Sequence, residues 1–151
     1  MRLWHEKLLP YLDRQRLLSQ HRECAALRGK SWGRKHATVD YVFTHVPERL
    51  VAYHWRVMDE MELRGYHPDP IWNDHRYRGK ELGMQEDTED PDKYPWADID
   101  IVGSWYNYNG NIYDEHNEAY LKECIELLKE KGAECDWEGI NTLMLTEGIE
   151  L

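Results

Sequence analysis

An amine, a carboxylate and a group of aromatic rings are the parts of this sequence whose types and spacing suit chemistry. The chain opens Met1-Arg2-Leu3-Trp4-His5. An α-amine titrates at about 7.7 to 8.0, so an appreciable fraction is neutral near pH 7, and it forms a Schiff base without the burial a lysine requires. Bulky second residues such as Arg2 block removal of an initiator methionine, so the amine in question is that of Met1. Gln15, Arg22 and Glu23 follow on a segment of helical character. Among cations, Glu23 can stay ionised, stabilise a cationic sugar and shuttle a proton. Further on, Trp105-Tyr106-x-Tyr108-x-Gly110 offers ring faces that stack bases. Each feature also has a plainer reading: an ordinary frayed terminus, a helical salt-bridge partner, and rings that plug a core.

The eight histidines form no H-x-x-x-H pair and fit no zinc spacing, so no metal is expected. The three cysteines, Cys24, Cys124 and Cys135, lack a C-x-x-C pairing and suggest neither a disulfide framework nor a cysteine zinc site, which fits a reducing cytoplasm. No stretch approaches the roughly 18 apolar residues of a membrane span, and no signal-peptide pattern opens the chain, so a cytoplasmic protein is expected.

Seven Trp and ten Tyr stand against one Phe, a bias toward rings that are apolar on their faces and polar at one edge. The net charge of −10 argues against a polyanionic partner until its distribution is read. Residues 1 to 36 hold nine Lys or Arg against three acids, which leaves the other 115 residues at −16. A cationic region on an acidic body can steer a polyanion to one face, although charge runs also arise on any solvated helix.

These residues need elements to hold them. Asp13 to Arg28 is rich in helix formers, with Leu17, Cys24 and Leu27, joined by Leu18 and Ala25, at helical spacing and Gly29 as a stop. Residues 29 to 46 read as a basic glycine-bearing loop running into a short extended stretch. A second helix starts at Pro47 and stops at Gly65, with Leu50, Val51, His54, Val57, Met58 and Met61 as its buried stripe. Tyr66 to about Ala97 is dense in Pro, Gly and acids, including the acidic run at 86 to 92, and reads as a long loop. Residues 98 to 113 read as a strand-like stretch and an aromatic loop. A third helix runs from about Glu115 to Lys131, with Gly132 as its stop, and the last twenty residues are left between a short helix and a packed tail. At 151 residues the expectation is one compact, mainly α-helical domain of about three main helices with long irregular loops. Its core spans about residues 1–113, and an acidic helical C-terminal extension occupies about 114–151.

Together, Met1-Arg2-Leu3, Gln15-x-Leu17 leading to Arg22-Glu23, Leu63-Arg64-Gly65 and Trp105 to Gly110 resemble the pyrimidine-dimer DNA glycosylase family across roughly residues 1–113. The resemblance implies a metal-free and cofactor-free glycosylase and abasic-site lyase. A terminal α-amine, here that of Met1, attacks the sugar C1′ of a pyrimidine dimer, and Glu23 takes the role of the family's glutamate. Processed family members begin with Thr before the arginine, so Met1 stands in the threonine's place, and Ala26 stands where the family has a second arginine after its Arg-Glu pair. The expected partner is damaged double-stranded DNA, bound by a monomer. Arg2 and Arg22 would contact phosphate near the scissile sugar, with Gln15, Arg28, Lys30, Arg34, Lys35 and His36 along the same basic region. Trp105, Tyr106 and Tyr108 would pack against the opened duplex. The alternatives are the same chemistry on another modified base or RNA, and a nucleic-acid or protein interaction module that has lost the reaction.

Overall fold

The computed structural model describes residues 2–34, 38–85 and 97–151, and these are mainly helical. The expected helices are present as α1 (Arg14–Arg28), α2 (Pro47–Leu63) and, after one more, α4 (Glu118–Glu130). Pro47 occupies the first turn of α2, where a missing N–H costs nothing. The side chain of Asn117 accepts from the Tyr120 amide to start α4.

Two segments differ from the sequence reading, and a third that it left open is helical. The stretch expected to be extended before Pro47 contains a short 3₁₀ helix, Asp40–Thr44. Residues expected to be strand-like form α3 (Ile99–Tyr106), whose N-terminus is closed by the Asp98 side chain accepting from the amides of Asp100 and Ile101. Alternating Ile99 and Ile101 suggested a strand, yet both are exposed and Val102 is the buried residue, so packing against α2 decides the conformation over local preference. The final segment contains α5 (Trp137–Glu147), capped by Asp136 and ended by Gly148 at φ 68°. Two further 3₁₀ helices, Glu6–Tyr11 and Pro70–Asn73, complete the elements among the described residues. The acidic run expected at 86 to 92 lies outside the described residues.

Helix α2 is the central element, packed against α1 and α3 and against the first 3₁₀ helix. Its Leu50, Val51, Tyr53 and Val57 join Leu3, Leu8 and Leu12 from the N-terminal segment, Leu17 and Cys24 from α1, and Leu121, Cys124, Ile125 and Leu128 from α4 in one core. The C-terminal helices are therefore part of this core. At Gly139 an added Cβ would lie 2.5 Å from the Tyr11 ring, so α5 meets the first 3₁₀ helix at a distance only glycine permits.

Several polar groups inside this core are paired, although the buried Tyr113 hydroxyl has no hydrogen-bond partner among the described residues. Fully buried His116 bonds Glu6 through Nδ1 and the Tyr41 hydroxyl through Nε2 at 2.6 Å. Burial alone would raise the Glu6 carboxyl, but His116 and the Ile112 amide hold it below the usual range. Buried His54 accepts at Nδ1 from Arg28, a group that can only donate, so its Nε2 carries the proton and faces His21 Nδ1 at 2.8 Å. Burial, with Arg28 and His21 nearby, pushes His54 well below its ordinary 6.5. Burial likewise takes His5, whose Nδ1 accepts from the Lys7 amide, down to about 4.

The imidazoles of His5 and His54 are neutral in the fold and ionise more readily once unfolded, so the unfolded chain binds more protons below pH 6.5. Stability is expected to be level above about pH 6.5 and to fall toward pH 4, with His5 alone contributing on the order of 1–3 kcal/mol. Protonation of Glu6 acts in the same direction at the acid end of that range. Urea denaturation at pH 7.5, 6 and 4.5 measures this, and equal midpoints would contradict it.

Candidate active site

Helix α1 and the N-terminal segment meet along a polar line. Gln20, only 1 % exposed, accepts at Oε1 from the Trp4 amide at 2.7 Å and from the Tyr53 hydroxyl at 2.8 Å. Its Nε2 donates to the Arg2 carbonyl and to Glu23 Oε2, both at 2.9 Å. One amide thus uses both ends to join the N-terminal segment, α1 and α2. Glu23, one helical turn on, also accepts from the Arg2 amide at 3.4 Å. Burial pushes the Glu23 carboxyl above its ordinary range, against the opposing effects of its hydrogen bonds and Arg22.

This line borders a cleft of about 350 Å³. Helix α1 supplies Arg16, Ser19, Gln20 and Glu23, the N-terminal segment supplies Arg2 and Trp4, and Thr38, Leu127 and Lys131 complete it. Three cations therefore surround a half-buried carboxylate. The Arg2 guanidinium lies 5.6 Å from the Tyr120 ring centroid and 3.7 Å from a Glu123 carboxylate oxygen, both on α4. Arg16 is braced by Asp13 at 3.3 Å.

Of the residues singled out in the sequence, Arg2 and Glu23 come together here. Gln15 is exposed on α1 and does not line the cleft. Arg22 is exposed and donates to Ser19 Oγ at 3.0 Å, and Arg34 is exposed in the following loop. Lys30 pairs with Glu81 at 2.9 Å. Met1, Lys35 and His36 lie outside the described residues. Arg28 corrects the expectation of a phosphate contact. It is 1 % exposed, and its guanidinium donates to the carbonyls of Trp72, Asp74 and Tyr77, so it braces the loop after α2 from inside. Desolvation lowers its pKa to about 9.

The aromatic motif stands on α3 and the turn after it. Trp105 is half-buried beneath the Arg49 guanidinium, 4.0 Å from its ring centroid, and Tyr106 packs edge-on against Trp55 and bonds Asp59. Arg56 donates to the carbonyls of Tyr106 and Tyr108 at 3.0 Å. Tyr108 is the exposed ring of the three, at 51 %. An added Cβ at Gly110 would fall 2.6 Å from Tyr108 Cε1, which explains the glycine of the motif. Trp105 and Tyr106 thus serve packing on α2, and Tyr108 is the ring available to a ligand.

Sequence reasoning missed Gln20 and Lys131. Gln20 sits three residues before Glu23, on the same helix face, and that spacing was a usable signal. Lys131 had none, because only the fold brings α4 to α1.

The family model described as pyrimidine dimer DNA glycosylase matches residues 1–74, the segment that holds α1, α2, Gln20 and Glu23. The first half of the chain is thus similar to the pyrimidine dimer DNA glycosylase family. Searches of curated proteins and of solved structures found no match. The family is one of DNA repair enzymes, so its substrate is DNA. Among the described residues no helix is long and apolar enough to cross a membrane. The matched segment contains the whole Gln20 hydrogen-bond set, while the Leu127 and Lys131 side of the cleft lies beyond it.

Gln20→Leu keeps the side chain's bulk but strands the Trp4 amide and the Arg2 carbonyl, while the Tyr53 hydroxyl keeps its bond to the Trp4 carbonyl. It is expected to cost about 2–4 kcal/mol in urea denaturation, whereas Gln15→Leu, on the exposed face, should stay within about 0.5 kcal/mol. Equal effects would sink the assignment of Gln20 as the tie between these elements.

Proposed function

We propose that the chain is a metal-independent DNA N-glycosylase and abasic-site lyase acting on pyrimidine dimers in double-stranded DNA, with the α-amine of Met1 as nucleophile and Glu23 as general acid and base. The observation that carries this reading is the Glu23 carboxylate accepting from the Arg2 amide beside a cleft rimmed by cations. That amide nitrogen is bonded to the Met1 carbonyl carbon, so an α-amine on Met1 stays within about 4 Å of it.

In the proposed reaction the amine nitrogen bonds to C1′ as the glycosidic C–N bond breaks, and the base leaves with the bonding pair and takes up a proton. The nitrogen then gives up its proton and forms a double bond to C1′ as the C1′–O4′ bond breaks, and O4′ takes up a proton, which leaves the sugar open as an imine. A C2′ proton is then removed, the 3′ phosphate departs, and water hydrolyses the imine to free the amine. Each step moves a proton close to the amine. A carboxyl whose pKa burial has raised is suited to both accept and return it.

Arg2 and Arg16 would hold phosphates beside the reacting sugar, while exposed Gln15, Arg22, Lys30 and Arg34, with Lys35 and His36, would extend the contact along the backbone. Tyr108 would pack against the opened duplex, where a damaged pair costs less to unstack.

Borohydride trapping on duplex DNA carrying a thymine dimer or an abasic site tests this. An adduct mapped to the Met1 amine is expected, insensitive to EDTA and lost when an N-terminal tag is retained. Glu23→Gln should slow turnover by roughly 10²-fold or more with DNA affinity kept. Folded protein that traps neither DNA, or a Glu23→Gln variant as active as the parent, would overturn the reading.

A further inference from the structure

The family match ends at residue 74, yet the cleft does not. Its remaining side comes from α4, through Leu127 and Lys131. This helix is firmly docked. Its Tyr120 hydroxyl donates to the Leu3 carbonyl at 2.6 Å, and its apolar face, with Leu121 and Leu128, is fully buried.

A helix C-terminus is a poor neighbour for a polyanion, because its last carbonyls carry the negative end of the helix dipole. On α4 that end is also acidic in sequence, with Glu126 and Glu130 in its last turns. Internal bonds offset part of this: the amides of Lys131, Gly132 and Ala133 donate to the carbonyls of Leu127, Lys129 and Leu128. The charge itself needs a cation. Of the three nearby lysines, Lys122 pairs with Glu126 at 4.0 Å, and Lys129 borders a separate depression beside Trp137. Lys131 is exposed, forms no ion pair among the described residues, and lines the cleft that holds Glu23.

We propose that Lys131 contacts a DNA phosphodiester at the cleft, so that α4, outside the family-matched segment, supplies a substrate-binding residue. This rests on the glycosylase reading. It gives the acidic C-terminal part of the chain a direct role in substrate binding, at the one point where that part turns a cation toward the cleft.

The test is fluorescence anisotropy of a duplex containing a tetrahydrofuran abasic-site analogue, titrated across a series of salt concentrations. One phosphate contact contributes about 0.9 to the slope of log Kobs against log salt. Lys131→Ala is expected to lower that slope by about 0.9, and Lys131→Arg to keep it. Lys129→Ala removes the same charge from the same helix turn but outside the cleft, and is expected to keep the parent slope. A Lys131→Ala slope equal to the parent's, or an equal drop in Lys129→Ala, would overturn the proposal. If the parent neither binds nor is trapped, the glycosylase reading itself has failed and this inference falls with it.

Discussion

The arrangement of this site depends on a single side-chain amide. Gln20 takes the Trp4 amide on its oxygen and gives its two amide protons to Arg2 and Glu23, while the single Tyr53 hydroxyl proton is shared between that oxygen and the Trp4 carbonyl. In a buried setting a half-satisfied amide would be costly, so the set is favoured only as a whole. The N-terminal segment, α1 and α2 are consequently held in one mutual register, and the Glu23 carboxylate is fixed relative to the Arg2 main chain. Neither an apolar residue nor a charged one could perform this task, since one lacks partners for the segment and the other lacks either donors or acceptors.

Much of the scaffold was legible in the sequence. Pro47 and the apolar spacing to Met61 specify α2, and Gly29 and Gly132 mark where α1 and α4 stop. Periodicity reports burial, and where burial is apolar it is a good guide. It misled at Arg28, where a basic residue near a basic loop is enclosed by carbonyls that come from more than forty positions away. It misled again at α3, where the alternation of Ile99 and Ile101 reflects two exposed residues. In the site, Glu23 and Arg2 were visible as chemistry. Their relation to Lys131 was not, because no local pattern encodes which distant helix closes a cleft.

Electrostatically, the acidic body and the cationic cleft are parts of one design. Net charge of −10 discourages indiscriminate association with nucleic acid, while local cations at Arg2, Arg16 and Lys131 favour one groove. Cations held next to carboxylates, such as Arg16 with Asp13 and Lys30 with Glu81, keep some of that field muted until a competing anion arrives. In the proposed complex, Tyr108, exposed on a turn that Arg56 pins at two carbonyls, would add an uncharged contact whose strength salt does not weaken.

The N-terminal segment is fastened largely by residues made more than a hundred positions later: Leu3 by Tyr120, Glu6 by His116, Lys7 by Glu147. A ribosome releases the first residues long before the last. On the growing chain Arg2 and Leu3 therefore have no α4 to lie against, and the cleft beside Glu23 lacks a wall. A chain truncated before residue 116 would keep the Gln20 bonds within the family-matched segment but lose the contacts that His116, Tyr120 and Glu147 make to its beginning.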